Sequence, residues 1–253
     1  MLTEVALAVI ISSLMSPVLI RCVSRMPEDK KLWDPPLQCS SCQKKLSLIT
    51  RIPVLGFFLV HRRCSSCRKP LPAQPLWIEI STVSGTLLVF FFREEASQIV
   101  IDLVFVYAMI VITFIDWNVM LIEPRVIVLT VALRLLWLAW FDFHSLLYHF
   151  GSMCIAAGAF YFIGFFYETL RRRQGLGDGD AAVIGVIALW TGWESLSMTV
   201  LIAALGGLLV GGGILILNNR PLASSRIPFA PFLCLGGGIV YYIKSFPGFP
   251  FLF

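Results

Sequence analysis

The stretch Gln174-Gly175-Leu176-Gly177-Asp178-Gly179-Asp180 follows three arginines and opens an apolar segment of this 253-residue chain. Its three glycines free the backbone to take positive φ and let another segment approach closely. An acid beside hydrocarbon is costly to ionise, and it is a functional candidate for that reason. The alternative is an ordinary solvated loop whose Asp caps a helix, since Asp is a favoured N-cap residue. A second acid, Asp116, ends another apolar segment and favours the functional interpretation.

The composition around this stretch is typical of a membrane protein. Hydrophobic residues make up 58% and charged residues 14% of the chain, whereas globular proteins carry about 25% charged residues. We therefore expect an all-α polytopic membrane protein with about eight transmembrane helices, each near the roughly 20 apolar residues that cross a bilayer. The eight apolar windows are about Leu2 to Cys22, Leu76 to Phe92, Ile99 to Ile115, Val126 to Trp140, Leu146 to Phe166, Ala181 to Trp193, Leu196 to Leu217 and Pro228 to Ile243.

The positions of the basic residues predict the orientation. Of the 20 Lys and Arg residues, 16 lie in the alternate segments 24–75, 116–125, 167–180 and 218–227. Basic residues in short loops mark the cytoplasmic side, so these segments are expected to be cytoplasmic and both termini periplasmic. The net charge of +5 is therefore a matter of topology and does not indicate binding to nucleic acid.

The predicted domains follow from this topology. Residues 1–23 resemble a signal peptide, but they lack a basic n-region and a small-residue cleavage site and are read as an uncleaved first span. Residues 24–75 form a cytoplasmic loop domain, and residues 76–253 a seven-helix transmembrane domain. Asp116 leaves the third window and Asp180 opens the sixth, so both acids are expected at the cytoplasmic face. The sixth window, of about 13 residues, covers only about 20 Å of a roughly 30 Å core.

Four cysteines in the loop domain form two CxxC pairs, Cys39 with Cys42 and Cys64 with Cys67, separated by 21 residues. Four thiolates at this spacing can close a tetrahedral zinc site. Reversible disulfides or unligated thiols are the alternative, although stable disulfides are disfavoured in the cytosol. A structural zinc ion would order a loop whose own core is small.

The two aspartates point to aspartic chemistry. If both share a site, like-charge repulsion separates their pKa values, leaving one acid as general base for water and the other protonated to polarise a carbonyl. Two unrelated carboxylates at helix ends remain the alternative. One rival function is a non-catalytic membrane scaffold organised by zinc, and another is a proton-coupled transporter. A transporter needs ionisable groups near mid-membrane, where Arg134, a candidate to snorkel towards the surface, is the main polar residue.

Motifs along nearly the whole chain resemble the type IV prepilin peptidases, the bifunctional leader peptidases and N-methyltransferases of the GxGD aspartic proteases. Three positions depart from the family pattern, at Ser16 to Ile20, at Glu123-Pro124 and at Ala182. The motifs that carry the resemblance are both CxxC pairs, the glycine stretch, Arg25-Met26-Pro27, Arg51-Ile52-Pro53-Val54-Leu55, Gln74-Pro75-Leu76-Trp77-Ile78-Glu79, Phe114-Ile115-Asp116 and Ile227-Pro228-Phe229-Ala230-Pro231-Phe232.

This resemblance implies the roles of individual residues. The catalytic aspartates would be Asp116 and Asp180, and the glycine loop would comprise Gly175, Gly177 and Gly179. The tetrapeptide GxGD occurs twice, ending at Asp178 and at Asp180. The longer family pattern G-x-G-x-G-D fits only with Asp180 as the catalytic acid.

The resemblance also implies an activity and a location. The enzyme would lie in a bacterial inner membrane and cut the basic leader from prepilins or from pseudopilins of type II secretion. Cleavage would occur just after a glycine at the cytoplasmic face, and S-adenosylmethionine would then supply a methyl group to the new N-terminal amine. The expected partners are these substrates and the lipid bilayer. The sequence leaves the pilin substrate, the cofactor pocket and the oligomeric state open.

Overall fold

The computed structural model describes residues 2–32, 42, 64, 66–69, 73–172, 177–213 and 228–245. Within these ranges the secondary structure is helical and contains no strand. Short 3₁₀ helices cover Met26–Glu28 and Trp193–Ser195, and a π-helix covers Gly207–Gly211. The α-helices are α1 (Leu2–Arg25), α2 (Gln74–Phe92), α3 (Ala96–Val119), α4 (Pro124–Phe141), α5 (Phe143–Arg171), α6 (Asp178–Thr191), α7 (Leu196–Gly206) and α8 (Ala230–Lys244).

Each of the eight apolar windows predicted from the sequence overlaps one of these helices, and the all-α polytopic prediction is confirmed. α6 and α8, of 14 and 15 residues, are apolar but shorter than a span. Among the residues that the structure describes, six helical stretches are long and apolar enough to cross a membrane: Thr3–Glu28, Gln74–Phe92, Ala96–Val119, Pro124–Phe141, Phe143–Arg171 and Trp193–Gly211.

The chain divides into two compact units, residues 1–111 and residues 112–253. In the first unit α1 packs against α2 through a buried face that includes the hydroxyl residues Ser12 and Ser16. These serines donate to carbonyls of their own helix, so the helices can approach closely without burying an unsatisfied hydroxyl. A hydrogen bond of 2.9 Å between the side chains of Thr86 and Tyr107 then joins α2 to α3.

The second unit is built around the short helix α6. Its residues from Val183 to Leu189 are all buried, and α4, α5 and α8 pack against it. α5 in contrast exposes large apolar side chains along most of its 29 residues, as a helix with one face towards lipid does. A helix of 14 residues covers only about 21 Å, so α6 is a buried core helix whose ends stay close to polar surroundings.

Arg134 of α4 does not snorkel towards the surface. It is 6% exposed, and its guanidinium lies 4.9 Å from the ring centre of Trp137 and 5.0 Å from that of Trp190. The faces of two indole rings attract a cation electrostatically. The expectation of snorkelling was wrong because it ignored Trp190, which α6 brings to α4 from a distant part of the sequence.

Candidate functional site

Asp116 lies in the last turn of α3, where its carboxylate is almost completely buried. The helix ends because Met120 takes a left-handed conformation with φ of 52°, and its N–H donates to the carbonyl of Asp116 at 2.9 Å. The residue is only 6% exposed. A buried carboxylate is costly unless it is hydrogen-bonded, so the partners of its two oxygens decide what it can do.

The N-terminus of α8 supplies one of those partners. The backbone N–H of Ala230, the first residue of α8, donates to the Asp116 carboxylate. Its Oδ2 atom is buried and meets no hydrogen-bond partner of good geometry among the described residues. One turn further along α8, the Cys234 thiol hydrogen-bonds the side chain of Thr113. Asp116 therefore contacts the first residue of α8 and keeps one buried oxygen available as an acceptor.

Asp180 is the third residue of α6, and it is partly exposed. Its Oδ2 accepts a hydrogen bond of 3.3 Å from the backbone N–H of Gly177, which is half of a capping box. The negative charges of Asp180 and Asp116 repel each other, and both act on the nearby Cys234. The structure therefore brings together the two acids that the sequence singled out, although 64 positions separate them.

The glycines of the loop act through close packing. A Cβ atom on Gly179 would lie 2.6 Å from Cδ1 and 2.9 Å from Cβ of Ile122, so a larger residue there would displace Ile122 or the turn. The expectation of positive φ was wrong for the described glycines, because Gly177 has φ of −72° and Gly179 is helical. Gly175 lies outside the described residues.

α6 and α8 run in parallel, and both begin at the acid pair. Asp180 lies in the first turn of α6, and Ala230 opens α8 beside Asp116. At the opposite ends, the Lys244 ammonium donates to the carbonyl of Thr191 at 2.7 Å. The N-terminus of a helix carries a partial positive charge, so two helices direct favourable charge towards the two carboxylates.

Three of the four predicted zinc ligands are described, and they form a cluster. The Sγ atoms of Cys42, Cys64 and Cys67 lie within 4.8 Å of one another, and those of Cys42 and Cys64 are 3.7 Å apart. Two thiolates sharing one tetrahedral zinc at about 2.3 Å stand about 3.8 Å apart, so the donor set fits such an ion. A disulfide would need a distance of about 2.05 Å. Cys39 lies outside the described residues.

The local turn around Cys64 is shaped to hold a thiolate. The backbone N–H groups of Cys67 and Ser66 donate to its sulfur and lower the pKa of Cys64 to about 6. The turn is closed by N–H of Arg68 donating to the Cys64 carbonyl at 2.9 Å, and Arg68 takes φ of 56°. A thiol that ionises readily is suited to binding metal, because the thiolate is the ligand form.

Sequence reasoning missed the part that α8 takes in this arrangement. The resemblance rests in part on the motif Ile227-Pro228-Phe229-Ala230-Pro231-Phe232, but the motif alone predicts no contact with the acids. Pro231 in the first turn of α8 was the available signal, because proline is favoured where a helix begins. Nothing in the sequence says that the free N–H before this proline points to Asp116.

Comparisons with known proteins agree with the resemblance. Residues 7–93 match the family described as Bacterial Peptidase A24 N-terminal domain, and residues 103–212 match the Type IV leader peptidase family. The first match contains all four loop cysteines and the second contains both acids. No solved structure matches the chain significantly.

Curated relatives resemble the chain over most of its length. A protein from Aeromonas hydrophila named prepilin leader peptidase/N-methyltransferase is 26% identical over 225 residues, covering 84% of this chain and 76% of the relative. Proteins of the same name from Dichelobacter nodosus and Burkholderia pseudomallei (strain 1026b) are 26% and 28% identical, covering 82% and 87% of this chain and 71% of each relative.

Proposed function

Because the chain belongs to the type IV leader peptidase family, we propose that it is a membrane aspartic endopeptidase that removes the basic leader of type IV prepilins or pseudopilins. In a second reaction it methylates the new N-terminal amine. The observation that carries the peptidase proposal is the acid pair: Asp116 and Asp180 lie at neighbouring helix ends and interact electrostatically. The names of the relatives support both activities and the substrate class.

The two acids divide the work of peptide hydrolysis. Like charges at close range oppose the ionisation of both acids, so the proposed mechanism uses one carboxyl in its ionised form and the other in its protonated form. The ionised carboxylate takes a proton from water as the water attacks the scissile carbonyl. The protonated carboxyl donates a hydrogen bond to the carbonyl oxygen, where negative charge develops. When the C–N bond breaks, the acid that took the proton from water passes it to the leaving amine. The buried Oδ2 of Asp116, without a partner among the described residues, is free to take part in either role.

The site belongs at the cytoplasmic face of a bacterial inner membrane. Its acids lie in the last turn of α3 and the first turn of α6, and the segments that follow α3 and precede α6 are among those that carry most of the Lys and Arg residues. A substrate with an apolar segment in the bilayer would present its junction with the basic leader at this depth. Asp and Glu residues near the site would attract that leader, and the basic loop domain would face anionic lipid head groups.

The zinc ion is proposed as a structural element of the loop domain. Cys39, Cys42, Cys64 and Cys67 would hold it, and the 3.7 Å between two of the sulfurs supports this assignment. Bound zinc contributes folding free energy to a domain with a small core. S-adenosylmethionine supplies the methyl group in the second reaction. The ordered loop domain is proposed to shape part of its pocket.

Cleavage in vitro tests the proposal directly. The protein reconstituted in vesicles is mixed with a purified type IV prepilin, and mass spectrometry scores leader loss and the added methyl group separately. We expect both products when S-adenosylmethionine is present and leader loss alone when it is absent. An intact prepilin after incubation with folded protein would refute the peptidase and favour the scaffold or the transporter.

A further inference from the structure

α8 is tied to the candidate site at its first residue. The backbone N–H of Ala230 hydrogen-bonds the Asp116 carboxylate. One turn later, the thiol of Cys234 hydrogen-bonds the side chain of Thr113, which lies three residues before Asp116. Asp116 lies at the C-terminal end of α3, where the helix dipole disfavours a negative charge. The N-terminus of α8 has the opposite polarity, so its position determines both the orientation of the carboxylate and the stability of its charge.

α8 also packs closely against α6. A Cβ atom on Gly237 would lie 2.7 to 2.9 Å from three side-chain carbons of Ile187. Gly237 is seven residues beyond Ala230, and Ile187 is seven residues beyond Asp180. Seven helical residues span about 10.5 Å, so the contact lies at the same depth on two parallel helices. The first turn of α6 contains Asp180, and the first residue of α8 contacts Asp116.

A second glycine fixes α8 against the next helix. A Cβ atom on Gly236 would lie 2.7 Å from the backbone carbonyl oxygen of Thr199 in α7. Helices are stiff, so a displacement at Gly236 or Gly237 is transmitted to the first turn of α8. Close packing at both glycines therefore favours the position of α8 in which its first N–H reaches Asp116.

We propose that Gly237 is a positioning residue for peptide cleavage: it sets the register of α8 on Ile187 so that the Ala230 N–H orients the Asp116 carboxylate towards Asp180. Through this contact one helix fixes the geometry of two acids that come from distant parts of the chain. The inference rests on the proposed peptidase function.

The test compares two neighbouring glycines of α8. Gly237→Ala introduces the short contacts with Ile187, whereas Gly238→Ala meets no atom within 4 Å and is the matched control. Small displacements of reacting groups lower rates steeply. We expect Gly237→Ala to lower the kcat of prepilin cleavage at least tenfold with KM changed less than about twofold, and Gly238→Ala to cleave like the unaltered protein.

Rescue separates positioning from general damage. Ile187→Ala removes all three carbons that a Cβ at Gly237 would meet, so Gly237→Ala combined with Ile187→Ala is expected to recover most of the lost kcat. If Gly237→Ala alone fails to fold, the double variant carries the test, and lost cleavage in the folded double variant would overturn the proposal. Folding is checked for each variant by thermal unfolding in detergent.

The outcomes for the inference and for the proposed function can be told apart. Unchanged kcat in folded Gly237→Ala, or an equal loss in Gly238→Ala, would overturn the positioning role while the unaltered protein still cleaves. Failure of the unaltered protein to cleave, or normal cleavage by Asp116→Asn, would instead refute the proposed peptidase. Rescue by the double variant, with a normal Gly238→Ala, supports the positioning role.

Discussion

The acid pair and the cysteine cluster each gather residues from distant parts of the chain, but they are held by different means. The acids lie at helix ends, and the packing of α8 against α6 is proposed to position Asp116, which contacts the first residue of α8. Cys42 and Cys64 belong to a segment with little regular structure among its described residues, where backbone N–H groups and, as proposed, a metal ion organise the sulfurs. Side-chain packing should therefore control the first cluster and metal content the second.

The largest effect is expected at the acids themselves. Asp116→Asn and Asp180→Asn each remove one carboxylate from the pair, and a positioned acid or base contributes about a hundredfold to ten-thousandfold. We expect each variant to lose at least about a hundredfold of prepilin cleavage while remaining folded in membranes. Initial rates of leader release, followed by mass spectrometry, measure the loss.

Asp178→Asn is the matched control for this pair. It changes the other acid of the glycine stretch, two residues before Asp180, and we expect nearly normal cleavage. Full activity in Asp180→Asn together with loss in Asp178→Asn would show that the catalytic register of the GxGD motif ends at Asp178. Equal loss in all three variants would point to damage of the loop.

The next effect should separate the cysteine cluster from the acid pair. Changing Cys39 and Cys64 to Ser removes one ligand from each CxxC pair, and we expect the protein to lose its single zinc ion. Methylation needs cofactor and amine in line, and misplacement costs about a hundredfold, so methylation should fall more than leader removal. Metal analysis and mass spectrometry of the pilin N-terminus measure the two consequences.

Cys154→Ser is the control for the double cysteine variant. Cys154 is an exposed thiol on α5, and its loss should leave zinc content and both activities unchanged. Protein prepared without chelator that contains no zinc would contradict the metal assignment and favour the redox interpretation. Unchanged methylation with lost cleavage in the double variant would contradict the separation of the two activities.

The sequence predicted the local features of both clusters and missed the contacts that orient them. Apolar windows and CxxC spacing depend on neighbouring residues, and the structure agrees with them. The bond from Ala230 to Asp116 and the stacking of Arg134 on Trp190 depend on how separate helices pack. Periodicity carries no information on such pairings. The positions of the acids at helix ends could therefore be predicted, but the contacts that α8 makes with them could not.

A smaller effect is expected from Gly179, which tests whether packing controls the acid pair. Alanine is favoured over glycine in a helix by about 1 kcal/mol, so Gly179→Ala should not weaken α6 through helix propensity. Its Cβ would instead meet Ile122 at 2.6 to 3.1 Å and displace the turn that holds Asp180. We expect cleavage to fall about tenfold, a loss of about 1.4 kcal/mol of transition-state stabilisation.

Two further variants decide whether that loss comes from the contact. Ile122→Ala in the Gly179→Ala background removes Cδ1 and Cγ1, two of the three close atoms, and should restore part of the cleavage rate. Gly158→Ala on α5, which meets no atom within 4 Å, should have no effect. Absence of rescue would mean that Gly179 is needed for another reason, such as the approach of substrate backbone.

The smallest effect is expected at Gly177, although it belongs to the same motif. Its φ of −72° and ψ of 136° are accessible to alanine, so Gly177→Ala introduces no backbone strain. The new Cβ would lie 3.3 Å from Oδ2 of Asp180, the atom that already accepts the Gly177 N–H. A shift of a few tenths of an ångström relieves this contact, because the carboxylate can rotate.

We expect cleavage to fall less than about threefold, a free-energy change of about 0.6 kcal/mol, and KM to stay unchanged. A loss at Gly177→Ala as large as that at Gly179→Ala would show that orientation of the Asp180 carboxylate by its N-cap, and not the packing of Gly179 on Ile122, is what the glycine motif provides.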